Sequence, residues 1–317
     1  MSRTVVSWLM CAGVGLAVVA AGLGPGLAAA QVPPGGSGAQ PLPVTQMGQG
    51  VYGIKAPGED MNTGFVVGDD DGVFVFACNL NTFDARIAAI RTITDKPIRW
   101  AGNGHAAADD YSCNFDLKRM GATLFGSERM RENFLEIAPP RLVADLRTPA
   151  GQQLWQGRSL AAPEITFGDE LVLHLGEARD VHLMYMGKGH TIGDAVTYMP
   201  DQRVLFTADL LFVEPHPTVR DGDSANWQRI LARLMGMDVD WIVPGHGPMV
   251  QGKEQLQVLS DYFDTVRARV RALMQQGKTL DQIRTEIDLS EYSGWGRQNS
   301  VPETLEKLYR ELGGTAS

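Results

Sequence analysis

Four short strings in this chain place histidines and aspartates where a metal ion would need them. They are Asn103-Gly104-His105-Ala106-Ala107-Ala108-Asp109-Asp110, Gly187-Lys188-Gly189-His190-Thr191-Ile192-Gly193-Asp194, Leu205-Phe206-Thr207-Ala208-Asp209 and Val243-Pro244-Gly245-His246-Gly247. Zinc accepts imidazole nitrogen and carboxylate oxygen, and a catalytic zinc keeps one position open for water. The chemistry such donors support is metal-assisted hydrolysis. Alone, a string such as His105-to-Asp110 has a plainer reading: a loop or a helix start, with an aspartate as its cap.

Strand ends must position these strings. Short strands are predicted over 51–54, 63–68 and 72–77, with Asp69-Asp70-Asp71-Gly72 as a hairpin turn. A helix over 83–94 has Thr82 as N-cap and Ile87, Ala88, Ile90 and Ile93 on related faces, and Pro97 stops it. The strand over 98–101 delivers the first string at its C-terminal end. Helices over 114–120 and 127–133 flank a short strand at 122–125. Residues 134–163, with Pro139-Pro140, read as an irregular stretch that shapes a substrate cleft. Strands recur at 165, 171–175, 181–186, 195–199 and 204–207. A helix over 227–235 precedes the strand 241–243 that carries His246, and helices over 253–276, 280–287 and 302–312 follow. This alternation gives a layered α/β fold.

The chain has 317 residues and a formal net charge of −9. It has no Lys/Arg cluster, so nucleic acid is not expected as a partner. Arg3, an apolar run from Val5 to Ala20, and Ala28-Ala29-Ala30 read as a secretory signal over 1–30, cleaved near Ala30. The alternative is an uncleaved anchor helix. Residues 31–47 are rich in Pro, Gly, Ser and Gln and read as a flexible lead-in. A periplasmic or secreted protein with no stable membrane insertion after cleavage follows. Two cysteines remain in such a chain, Cys78 and Cys113, and an oxidising compartment permits a disulfide between them.

In order and spacing the four strings resemble the metal-binding motifs of the metallo-β-lactamase superfamily. Where that family usually reads His-x-His-x-Asp-His, this chain reads His105-x-Ala107-x-Asp109-Asp110. The set of strings in this order is poorly explained by chance. The resemblance implies a four-layer αβ/βα sandwich over 48–275, with residues 276–317 as a C-terminal helical extension. By position it gives His105 and His190 to a first metal, which Ala107 leaves one ligand short. Asp109, Asp110 and His246 go to a second metal, and Asp209 bridges the two.

On this pattern the expected cofactor is zinc, as one ion rather than two, with Mn or Fe also suited to an oxygen-rich set. The expected ligands of that single ion are Asp109, Asp110, Asp209 and His246. Asp109 also has, by resemblance, the task of orienting the attacking water. The expected activity is exported, metal-dependent hydrolysis of an ester, thioester, lactone or lactam bond in a small-molecule substrate. The alternative is a catalytically impaired binding protein on the same fold. Cys78 and Cys113 stand where the family often has a bracing aspartate and a glycine. Both are therefore expected near the metal loop, either as a disulfide that replaces the brace or with Cys113 as a thiolate ligand; the oxidising compartment favours the disulfide. His216 falls where substrate loops often lie in the family, and Tyr111 is expected to narrow the mouth of the site.

Overall fold

The computed structural model describes residues 38–315 apart from Glu59, Asp70 and Asp71; the predicted leader and the middle of the predicted hairpin turn lie outside these residues. Two sheets carry the fold. The first has seven strands in sequence order: β1 (Val44–Gly48), β2 (Val51–Ile54), β3 (Thr63–Val67), β4 (Val73–Phe76), β5 (Ile98–Gly102), β6 (Thr123–Ser127) and β7 (Ile165–Phe167). It is antiparallel from β1 to β4 and parallel from β4 to β7. The second has six: β8 (Glu170–His174), β9 (Asp180–Gly187), β10 (Asp194–Met199), β11 (Val204–Phe212), β12 (Trp241–His246) and β13 (Val250–Gln251). Only its β11–β12 pair is parallel.

Side chains on a strand alternate between faces, and β4 shows what that does here. Phe74 and Phe76 point into the space between the sheets, with Val66, Leu183, Phe206 and Val243. Val73 and Val75 point outward, against Ile87 and Ile90 of α1 (Phe83–Arg91) and Leu117 of α3 (Asn114–Arg119). The sheets approach so closely that a Cβ on Gly64 would lie 2.3 Å from the Phe206 ring. On the far side, Val196, Leu205, Leu211 and Ile242 pack beneath α6 (Ser224–Met235) and α7 (Glu254–Gln275). The result is helix, sheet, sheet, helix: the expected four-layer sandwich.

The C-terminal helices α8 (Leu280–Glu286) and α9 (Val301–Glu311) belong to the same outer core, through Ile283, Leu305 and Leu308. Thr279 and Gln282 cap α8 reciprocally. The Thr304 hydroxyl donates to the Pro217 carbonyl (2.7 Å), tying α9 to the loop after β11.

Three sequence expectations are corrected. Strand β1 begins at Val44, inside the supposed lead-in, because its backbone pairs with β2. Residues 134–163 are mostly helical: α4 runs Glu128–Asp145 and α5 Pro149–Leu154. Pro139 and Pro140 remove two backbone donors from α4 without ending it. Ser127 caps the helix by accepting from the Met130 N–H (2.9 Å), and Met130, Phe134 and Ala138 bury its inner side. Tyr111 does not stand in a mouth. It is buried edge-to-face on Phe134, with ring centroids 4.8 Å apart.

Candidate metal centre

The site forms where β5, β11, β12 and the β9–β10 turn end. After β5 the chain makes a tight loop into the short helix α2 (Ala108–Tyr111). Asp110 holds this loop from inside. Its Oδ2 accepts from the N–H groups of Gly104 (2.9 Å) and His105 (3.3 Å), and its Oδ1 accepts from the Asn103 amide (2.9 Å). Asn103 is fixed in turn by Asn114, whose amide donates to the Asn103 carbonyl oxygen (2.8 Å). Cys78 and Cys113 are joined as a disulfide, with Cα atoms 5.6 Å apart, which clamps the end of β4 to the start of α3. Cys113 is therefore not a thiolate ligand.

The histidines are aimed by what their Nδ1 atoms meet. His190 Nδ1 lies 2.6 Å from the Thr218 carbonyl, which can only accept, so Nδ1 carries the proton and Nε2 is left as a donor to a metal. His105 Nδ1 lies 3.2 Å from Asp110 Oδ2, within ion-pair distance though not aligned as a hydrogen bond, and Nε2 faces the site. His246 stacks on Phe212, with centroids 5.0 Å apart and 22° between planes. The turn that carries His190 is fixed by Asp194, which accepts from Gly189 N–H (3.1 Å) and from both the N–H (3.0 Å) and hydroxyl (2.5 Å) of Thr191. Burial holds the Asp194 carboxyl up at about 7 despite these bonds.

Asp209 is the hub. Its Oδ2 is 3.4 Å from His190 Nε2 and 3.6 Å from His105 Nε2, and its Oδ1 is 3.1 Å from His246 Nε2. The residue before it, Ala208, has φ +46° at an irregularity in the β11–β12 register. A left-handed alanine is uncommon and costs about 1–2 kcal/mol; such strain collects at functional sites. Gly245 is needed for the same reason of space, because a Cβ there would lie 2.3 Å from Asp209 Oδ1. Asp109 completes the group, 3.8 Å from His105 Nε2 and 3.5 Å from His246 Nε2.

Two triads of donor atoms result: His105, His190 and Asp209, and Asp109, Asp209 and His246. Five of the six residues expected as ligands come together. Asp110 does not; its oxygens are taken up by the loop it braces. Ala107 removes one histidine from the first cluster, yet Asp209 brings that cluster to three donors, two of them nitrogen.

The donor set fits a cation. His105 Nε2, Asp109 Oδ1 and His190 Nε2 are buried and have no hydrogen-bond partner among the described residues. Buried polar atoms are normally satisfied, so a converging set without partners is what a metal would complete. Burial would push His105 and His246 down, but the Asp209 carboxylate and its neighbours raise them to about 10 and about 9. His190, buried among other cationic groups, falls to about 3. Asp109 is lowered to about 2, against its burial, by His246 and His105. Positive charge is thus drawn in as protons where a metal would supply it.

His216 is not part of this centre. Its Nδ1 is 3.1 Å from the Tyr262 hydroxyl, and its ring packs on Tyr262, Tyr292 and Trp295. His174 and His182 pair with Asp180 and Glu170 away from the triads. Beside Asp109 a cavity of about 730 Å³ opens, lined among others by Arg141, Arg220 and Trp155. No sequence motif pointed to these three.

The family model of the metallo-beta-lactamase superfamily matches residues 131–246. That span holds His190, Asp209 and His246 and begins after the altered first string. The alpha subunit of 2,4-dinitroanisole O-demethylase from Nocardioides sp. (strain JS1661) is 34% identical over 135 residues, which is 42% of this chain and 38% of that relative; the match covers less than half of the relative's length. Among solved structures, a metallo-beta-lactamase from Pontibacter korlensis has a TM-score of 0.58 at 18% identity, covering 70% of this chain and 99% of its own. The sec-alkylsulfatase Pisa1 from Pseudomonas sp. has a TM-score of 0.63 at 17% identity, covering 85% of this chain and 50% of its own. The mono-zinc form of the metallo-beta-lactamase FIM-1 from Pseudomonas aeruginosa has a TM-score of 0.55 at 19% identity, over 71% of this chain and 96% of its own. At these identities the solved structures speak to the fold.

Proposed function

We propose that this chain, whose residues 131–246 match the family model of the metallo-beta-lactamase superfamily and whose fold is that of solved metallo-beta-lactamases, is a metal-dependent hydrolase of an ester, thioester, lactone or lactam bond in a small molecule. The single observation that carries this reading is the convergence of unpartnered, buried donor atoms on Asp209. The similar proteins' own names span β-lactamases, a sulfatase and an O-demethylase subunit, so they leave the scissile bond open.

We assign one zinc ion to His105, His190 and Asp209. Two imidazoles and one carboxylate suit zinc better than the oxygen-richer set of Asp109, Asp209 and His246. This replaces the four-residue set expected from sequence, which needed Asp110. Bound there, the ion would lower the pKa of a water toward ~7 and polarise the carbonyl under attack. Asp109 then faces both ways: its carboxylate lies beside His105 and His246, and the residue lines the cavity. Held ionised by the two histidines, it would orient the attacking water by accepting a hydrogen bond from it. The Cys78–Cys113 disulfide and the leader-like residues 1–30 support an oxidising, extracytoplasmic compartment.

The test is metal content, by mass spectrometry, of the chain purified from a periplasm supplied with Zn, Mn and Fe, followed by a panel of esters and lactones. One ion per chain is expected, lost in His190→Ala and kept in His246→Ala, with turnover abolished by chelation. Absence of metal under every supply would overturn the hydrolase and leave a ligand-binding protein on this fold.

A further inference from the structure

Resting on the hydrolase reading, we propose that the cavity beside Asp109 selects a substrate that carries an oxyanion, held by Arg220 and Arg141, on an apolar ring-sized body packed against Trp155 and Leu154. The cavity, about 730 Å³, is of the size that encloses a small-molecule ligand. It connects the loop after β11 with helices α4 and α5, and Asp109 lies in its wall.

Three arginines line it, and they are not equivalent. Arg158 is engaged: its Nε donates to Asp116 (2.7 Å) and its guanidinium to the Leu154 carbonyl (3.0 Å). Arg220 and Arg141 have neither a hydrogen bond nor an ion pair among the described residues. The Arg220 Nε is also shut off from water without a partner. Leaving a guanidinium partly desolvated and unpaired is unfavourable, and its planar fork matches a carboxylate or sulfonate in two-point contact. The cavity's carboxylates do not fill that role. Asp109 belongs to the metal centre, and Asp145 accepts from the Trp155 indole N–H (3.2 Å), fixing the ring in the wall.

Arg220 is also well placed to report to the centre. It lies two residues beyond Thr218, whose carbonyl holds His190 Nδ1. Its neighbour Asp221 accepts from the Asn133 amide (3.1 Å), pinning this loop to α4. An anion on Arg220 is therefore held on the segment that aims a metal-facing histidine, next to the carboxylate that orients water.

Benzoate and benzamide share a shape and differ in charge, so they isolate the effect. Calorimetric titration of both into the zinc-loaded protein is expected to show benzoate at least tenfold tighter. That preference is expected to fall at least tenfold in Arg220→Gln and in Arg141→Gln, and to be partly kept in Arg220→Lys. In turnover, the preference in kcat/KM for 4-acetoxybenzoate over phenyl acetate is expected to fall by the same factor in both glutamine variants. Equal binding of the two probes, or a benzoate preference that survives both substitutions and so belongs to the metal, overturns the proposal. Benzoate selectivity without hydrolysis of any ester would uphold the anion site and overturn the hydrolase; hydrolysis without charge preference would do the reverse.

Discussion

Asp110→Asn changes one buried oxygen to an amide nitrogen and separates a metal ligand from a group that positions one. In the native loop, Oδ2 faces the N–H groups of Gly104 and His105 and lies 3.2 Å from His105 Nδ1, while Oδ1 faces the Asn103 amide. All of these are donors. The asparagine keeps its oxygen toward the Gly104–His105 side, because the other orientation sets its NH₂ against three donors instead of one. One donor–donor clash with Asn103 remains, a loss of roughly 1–3 kcal/mol for a buried polar group left unsatisfied. At about 2–4 °C per kcal/mol for a domain of this size, melting is expected to fall by roughly 2–12 °C. His105 also loses the charge that steadies its ring, and removing such a partner weakens metal binding about 10- to 100-fold. The assay is zinc affinity by competition with a fluorescent chelator, alongside thermal melts of the metal-free protein. With zinc in excess the variant is expected to fill to the native stoichiometry. Failure to fill at any zinc concentration, while the protein stays folded, would make Asp110 a ligand and refute the reasoning. Unchanged affinity and unchanged melting would refute it from the other side.

Three further outcomes follow from the same geometry. Cys78→Ser with Cys113→Ser opens a cross-link between positions 35 residues apart, which chain-entropy reasoning values at about 4 kcal/mol; urea melts of the oxidised protein measure it, and a loss below about 1 kcal/mol would deny the disulfide a role in stability. Gly245→Ala would drive a methyl to 2.3 Å from Asp209 Oδ1, so zinc affinity is expected to fall at least ~10-fold in a folded protein. Native affinity would mean that Asp209 is not held where it lies. Metal uptake is expected to release a proton at neutral pH, because His105, an assigned ligand, is held at about 10 without metal. Below that value a proton competes with the ion, so affinity rises with pH and levels off above it. Calorimetry in buffers of differing ionisation enthalpy reads the release, and zero protons displaced at pH 7.5 would contradict the raised value.

A layered α/β fold was legible because its signals are local, whereas the four-layer sandwich came from the resemblance. Short alternating strands and Pro-terminated helices place most of the elements, though β1 begins inside the predicted lead-in and β11 runs on past the predicted end at Thr207. Of α4 only the start is legible, as a helix over 127–133, and α5 is not predicted at all. Pro139-Pro140 reads as a break because each proline removes a backbone donor, yet burial of Met130, Phe134 and Ala138 carries the helix through. At α5 the sequence does hold a cue, since Thr148 caps the helix through Gly151 N–H (3.0 Å) with Pro149 at its first position. The cavity was hidden for the same reason, since it is built from those two helices and the loop at Arg220.

Asp110 shows why a ligand set cannot be read by position alone. A carboxylate in a histidine's place has the right charge for a metal, but a shorter reach and a stronger appetite for N–H donors. Its loop offers Gly104, His105 and Asn103 at hydrogen-bond distance, and a buried carboxylate is held firmly by several such bonds. Turned inward, it does what the missing histidine could not. It sits 3.2 Å from His105 Nδ1 and so presents Nε2 to Asp209. The first cluster, short of a ligand in sequence, thereby gains a better-aimed one, and the balance between the clusters shifts toward His105, His190 and Asp209.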